Sequence, residues 1–292
     1  MLFTATLIAA EALDAGEVCA AADALEQAGC APTGWGWIDE GSAADIPFAL
    51  DPGAARAVLE GSVFDVVVQP LEGRAKRLLV ADMDSTMITV ECIDELADYA
   101  GLKPEIAAIT EAAMRGELDF AGALNARVAL LRGLNATVID RCLAERVRIM
   151  PGARTLVRTM LSRGARCVLV SGGFTRFAEP VAREIGFDRA IANELLVEDG
   201  RLTGAVAKPV IGAEAKLATL QAEASILGID LSQTLAVGDG ANDLPMIQAA
   251  GMGVAYRAKP IVAAAADARI GHGDLTALLW AQGIARRAWV DP

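Results

Sequence analysis

Three short apolar runs without alternation set the frame of this chain. Residues 78–81 are apolar and stop at Asp82-Met83-Asp84-Ser85-Thr86; residues 167–170 stop at Ser171-Gly172-Gly173; residues 234–237 stop at Gly238-Asp239-Gly240-Ala241-Asn242-Asp243. Unbroken runs of this length predict strands buried on both faces. Helical periodicity separates and follows them, over 154–162, 174–185, 213–227 and about 243–250, then around 261–266 and 275–282, with a further strand near Val254. Such alternation predicts an α/β fold: a mainly parallel sheet in three layers with right-handed crossovers. Residues 195–206 carry Asp199-Gly200 at their middle, the turn pair of a tight hairpin.

Two other stretches follow different rules. Residues 1–76 read as a small α+β unit, with strands at 2–10, 34–38 and 64–69, helices at 15–28 and 51–59, and a turn-rich linker at 70–74. Between 91 and 151 the period is helical throughout. Pro104 suits a first turn, Asp119 and Asn135 suit N-caps, and Gly101, Gly116 and Gly133 suit helix ends, which predicts a helical insertion at about 92–150.

Composition narrows the classes of function. The chain is 54% hydrophobic and 4% aromatic with a formal charge of -12, which excludes a general nucleic-acid or anionic-membrane surface and leaves any small anion to be captured locally. Cysteines at 19, 30, 92, 142 and 167 form no CxxC pair, an arrangement expected in a reducing cytosol. The apolar opening at 2–10 is too short to span a bilayer and meets Glu11 and Asp14, so a strand is expected there rather than a signal peptide. The single histidine, His272, reads as a loop residue, and phosphatase chemistry built on several histidines lacks its residues. Cys142 and Arg148 satisfy the Cys-x5-Arg spacing, but the intervening Leu-Ala-Glu-Arg-Val is helical, lacks glycine and places a glutamate where an anion would sit.

The strand ends carry the chemistry. Residues two apart in an extended chain share a side, so Asp82 and Asp84 share a small space, and close like charges need a cation or a proton. A divalent metal answers that need; the plainer alternative makes both acids loop caps of the next helix. Ser171 and the glycines beside it offer hydroxyl and backbone N–H donors to an anion, and Lys216 offers a compact positive charge.

Taken in order, Asp82-Met-Asp84-Ser-Thr, Ser171-Gly-Gly, Lys216 and Gly238-Asp239-Gly240-Ala-Asn242-Asp243 resemble the haloacid dehalogenase superfamily of aspartate-nucleophile phosphatases. Glu91, and the stretch from Asp119-Phe120 to Arg132-Gly133, resemble the phosphoserine phosphatase branch. The resemblance spans about residues 77–285 and implies a Rossmann-like core at 77–292 with a helical cap. It implies Asp82 as nucleophile, Asp84 as general acid and base, and Ser171, Gly172, Lys216 and Asn242 around the phosphoryl group. It further implies magnesium on Asp82, Asp239 and the Asp84 carbonyl, Asp243 as their support, and Glu91 and Arg127 on the amino-acid part of O-phosphoserine. Phe120 and Met114 either wall the pocket or belong to the core, and Asn125 departs from a basic residue frequent at that cap position. Hydrolysis of phosphoserine as the last step of serine biosynthesis is the implied activity. A relative acting on another small phosphomonoester, a phosphotransferase and a non-catalytic regulatory module are the alternatives. Residues 1–76 resemble ACT-like modules, for which regulation or homodimerisation is expected.

Overall fold

The computed structural model describes residues 1–114 and 117–291, with the side chain of Met114 excepted. Gly116 and the Met114 side chain therefore lie outside the described residues. The chain begins with β1 (Phe3–Ile8), α1 (Ala15–Gln27), β2 (Gly36–Asp39), β3 (Ala43–Phe48), α2 (Pro52–Val58) and β4 (Asp65–Pro70). These strands form an antiparallel sheet in the order β2-β3-β1-β4, a ferredoxin-like βαββαβ arrangement. Strand β3 is absent from the sequence reading because Asp45 and Pro47 interrupt its apolar pattern; pairing with β1 and β2 on either side overrides that local weakness.

The larger part starts with β5 (Leu78–Ala81), continues through α3 (Cys92–Ala100), α4 (Lys103–Met114), α5 (Phe120–Leu130) and α6 (Thr137–Glu145), and returns with α7 (Ala153–Ser162). Then come β6 (Arg166–Phe174), α8 (Thr175–Ile185), β7 (Arg189–Asn193), the hairpin β8 (Leu195–Glu198) and β9 (Arg201–Val206), and α9 (Ala213–Leu227). The chain closes with β10 (Thr234–Gly238), α10 (Leu244–Ala249), β11 (Met252–Tyr256), α11 (Pro260–Ala265), β12 (Ala268–Ile270) and α12 (Ala277–Ala281). Six parallel strands in the order β12-β11-β10-β5-β6-β7 make the central sheet, as the α/β reading expects. Strand β7 is bounded by Arg189 and Asn193, and β12 has three residues with Arg269 at its centre, which hides both from an apolar-run search.

The helical insertion stands over the carboxyl ends of β5 and β6. Asp119 caps α5 by accepting from the Gly122 N–H, whereas Asn135 lies two residues before the start of α6, outside the N-cap Ala136, and accepts from the N–H and hydroxyl of Thr137. Backbone bonds from Gly133 to Leu202 and from Ala136 to Gly200 tie the insertion to the β8–β9 hairpin, whose turn residues Asp199 and Gly200 both have positive φ. The amino-terminal sheet rests on the carboxyl-terminal elements: Gln69 donates to the Ala281 carbonyl, Trp280 donates to Asp39, and the buried Asp65 carboxylate accepts from the N–H groups of Gly271, His272 and Gly273. His272 is thus an exposed loop residue whose backbone, not its ring, makes the contact.

Candidate active site

Parallel pairing brings the three polar tips side by side, because β5 lies between β10 and β6. Ala81 pairs with Val237 on one side and Leu169 on the other, so the next residue, Asp82, is level with Gly238, the start of one tip, and one residue short of Ser171, the start of the other. Open α/β sheets present ligands at this edge. Helix α9 supplies the cation: its buried residues Lys216, Leu220, Glu223 and Ala224 recur at helical spacing, so Lys216 occupies the stripe that faces the sheet. Glu223 on the same stripe is gripped by Arg166 and Arg189 and fastens that helix to β6 and β7.

Lys216 is fully buried, with its ammonium 2.6 Å from Asp82 Oδ1 and 2.6 Å from Asp243 Oδ1. Burial alone pulls the Lys216 ammonium toward neutrality, but Asp243 and Asp82 outweigh it, and the net shift is upward. Burial raises the Asp82 carboxyl well above its ordinary range; Asp243 adds to this and Lys216 opposes it. Asp239 is pushed up to about 6 by burial, then by Glu91 and Asp243. Carboxylate oxygens of Asp82, Asp239 and Asp243 lie within 4.8 Å of one another. Three acids against one lysine leave negative charge in excess, and an all-oxygen donor set fits a hard divalent cation.

Asp84 has different surroundings although it is two residues from Asp82. Its Oδ1 accepts from the Cys92 N–H at 3.1 Å and its Oδ2 from the Ser171 hydroxyl at 3.4 Å. Burial first, then the charge of Glu91, raises its carboxyl to about 7, and the bond from Cys92 only partly offsets this. Glycine is required beside two of these carboxyls: a Cβ on Gly173 would lie 2.6 Å from Asp84 Oδ2, and one on Gly238 would collide with the Asp243 carboxyl.

The remaining sequence candidates fall into two groups. Ser171 is buried at the β6 tip with its oxygen accepting from the Gly173 N–H, and Gly172 and Asn242 face one another across the opening, where a Cβ on Gly172 would meet the Asn242 amide at 3.7 Å. Glu91 is exposed at the start of α3 and accepts from Ser85 at 2.7 Å. Arg127 lies on α5 with its Nε donating to the Ala123 carbonyl, and among the described residues no hydrogen bond or ion pair joins it to the carboxylate cluster. Phe120 reaches from the insertion down to the core: a Cβ on Gly172 would lie 2.9 Å from its ring and one on Gly212 3.0 Å. The structure also implicates Thr86, fully buried and donating to Asp239 at 3.3 Å, to which sequence reasoning gave no role although it lies two residues past Asp84. The Cys-x5-Arg pair forms no anion site, since Cys142 is buried in α6 with its thiol pushed up to about 11, and the Arg148 guanidinium donates to the carbonyls of residues 144, 145 and 147.

Residues 79–248 match the haloacid dehalogenase-like hydrolases, a span that contains every one of these tips. The chain belongs to that family. It is 47% identical over 85% of its length to the phosphoserine phosphatase SerB2 of Mycobacterium tuberculosis. It spans only about 60% of the length of that relative and of two other curated phosphoserine phosphatases. Among solved structures, a haloacid dehalogenase family hydrolase from Salmonella enterica serovar Typhi superposes with a TM-score of 0.85 at 28% identity, covering 96% of this chain and 97% of its own. A phospho-aspartyl intermediate analogue of a phosphoserine phosphatase superposes with a TM-score of 0.66 at 40% identity, covering 70% of this chain and 98% of its own.

Proposed function

We propose that this chain hydrolyses O-phosphoserine to serine and phosphate through an aspartyl phosphate on Asp82, with magnesium as its metal. The observation that carries the reading is the unequal environment of two neighbouring carboxyls. Asp82 is paired with Lys216, which opposes the upward push of burial and of Asp243 on its carboxyl and which a bound cation would reinforce. Asp84, bonded instead to the Cys92 N–H and the Ser171 hydroxyl and raised to about 7, retains a proton near neutrality. In the proposed sequence, an Asp82 oxygen forms a bond to phosphorus as the bond from phosphorus to the serine oxygen breaks. Asp84 gives its proton to that departing oxygen, then takes one from the water that cleaves the aspartyl phosphate.

Asp82, Asp239 and the Asp84 backbone carbonyl would hold magnesium. Its charge would keep Asp82 ionised and offset the phosphoryl oxygens. Lys216, Ser171, the Gly172 N–H and Asn242 are assigned to the phosphoryl oxygens, and Asp243 to orienting Lys216. Glu91 is assigned to the substrate ammonium and Arg127 to its carboxylate, where a planar guanidinium fits two oxygens at once. Phe120, seated against Gly172 and Gly212, would close the cap over the bound phosphate and exclude water.

Residues 77–292 are read as the phosphatase domain, with the cap at about 92–150. Residues 1–76 are read as an ACT-like regulatory or dimerising domain, supported by their βαββαβ order. A cytosolic setting accords with the five free cysteines, and no helix among the described residues is long and apolar enough to cross a membrane; the role in serine biosynthesis follows from the proposed substrate alone. Phosphate release from L-phosphoserine, measured with magnesium and beside phosphoethanolamine and a sugar phosphate, tests the assignment. A preference for phosphoserine is expected; equal rates on all three would reject the substrate, and no release from any would reject the phosphatase.

A further inference from the structure

We infer that Asn193 is a positioning residue that holds the phosphate-binding tip of β6 and the Lys216 helix at a set separation. The inference rests on the phosphatase reading above. Asn193 ends β7, is 1% exposed, and spends its whole amide on backbone: Nδ2 donates to the Gly172 carbonyl at 2.9 Å and to the Ile211 carbonyl at 3.1 Å, while Oδ1 accepts from the Ile211 N–H at 2.8 Å. Both amide hydrogens and the oxygen are used, so the contact defines which way the amide points.

The two segments it joins are distant in sequence and adjacent at the site. The β6–β7 ladder shifts register between Val170 and Phe174, which frees Ser171, Gly172 and Gly173 from regular pairing with β7. A carbonyl released in that way must find another donor, and the Asn193 side chain takes up Gly172. Ile211 immediately precedes Gly212, the N-cap of α9, and the Lys216 N–H donates to the Gly212 carbonyl, so Lys216 lies one turn from the tethered residue. The Phe120 ring rests on Gly172 and Gly212, one beside each tethered point. One amide therefore sets the spacing of Ser171 and Gly172 to Lys216 and shapes the seat on which the cap closes. The backbone that carries Asp82, Asp239 and Asp243 follows β5 and β10 and is not held by Asn193; this cluster meets the bridge through Lys216.

The test uses the full chain with Asn193→Ala and the isosteric Asn193→Asp, which keeps shape but cannot donate to the two carbonyls. In both, the inhibition constant for inorganic phosphate should rise at least about tenfold and kcat fall by a similar factor, while the magnesium concentration for half-maximal activation stays within about twofold. Folded variants with unchanged phosphate inhibition and kcat would overturn the inference, as would equal losses of phosphate and magnesium affinity, which mark general damage. Amide exchange in the unmodified protein covers the case of variants that do not fold. Inorganic phosphate with magnesium should slow exchange at the Ile211 N–H, and unchanged exchange there would equally overturn the inference. A wild-type chain that neither binds phosphate nor releases it from phosphoserine would instead defeat the phosphatase reading itself.

Discussion

Replacing Lys216 by Met keeps the length of the side chain and removes the charge from between two buried carboxylates. In the wild-type protein its ammonium is 2.6 Å from both Asp82 and Asp243, and neither the lysine nor Asp243 has any exposed side-chain surface. Breaking a buried pair by deleting one partner typically costs about 3 to 5 kcal/mol, which most domains with about 5 to 15 kcal/mol of stability survive. The orphaned pair should lower that cost by retaining a proton in the folded state. Unfolded aspartates are ionised above pH 5, so between pH 6 and 8 the folded variant binds about one more proton than the unfolded chain. Its stability should therefore fall as pH rises, by about 1.4 kcal/mol per pH unit, or roughly 2.7 kcal/mol across that interval. Urea denaturation at pH 6, 7 and 8, without metal, measures this directly. A variant whose free energy of unfolding has the wild-type pH slope would refute the argument, since its two carboxylates would not then be sharing one cation.

Asp84 is held at about 7 by burial and then by Glu91, so its acid form dominates below that pH, and turnover should decline on the alkaline side; Glu91→Gln, by removing the second cause, should move that decline to lower pH in the profile of kcat. Chelation should stop turnover and magnesium restore it, and magnesium at one hundred times its dissociation constant should add about 2.7 kcal/mol to stability, read as a rise in melting temperature. Arg127→Ala should cost phosphoserine about 1.5 to 3 kcal/mol more than phosphoethanolamine, which lacks the carboxylate; an equal loss on both would detach Arg127 from that group.

The parts of the fold legible in the sequence are those whose signal is local. Residues 78–81, 167–170 and 234–237 are buried on both faces of a parallel sheet, and burial on both sides leaves an unbroken apolar run for the eye to find. Lys216 stands out for a related reason, as a charge at helical spacing from the buried Leu220, Glu223 and Ala224. Strand β3 was not legible because its stability comes from two partners, residues 3–8 and 36–39, that its own sequence does not reveal. Asn193 is the clearest case at the site: its three partners are backbone atoms of residues 172 and 211, and backbone atoms leave no mark in a sequence. Thr86 lies within the first motif, yet its contact with Asp239 bridges 153 positions and appears only once β5 and β10 are paired.

The central claim is that Asp82 carries the phosphoryl group, and rapid acid quench of the magnesium-loaded protein with phosphoserine, followed by peptide mapping, tests it most directly. A phosphoryl group on the peptide containing Asp82, absent in Asp82→Asn together with turnover, is the predicted result. Label on any other residue, or substantial turnover by purified Asp82→Asn, would contradict it.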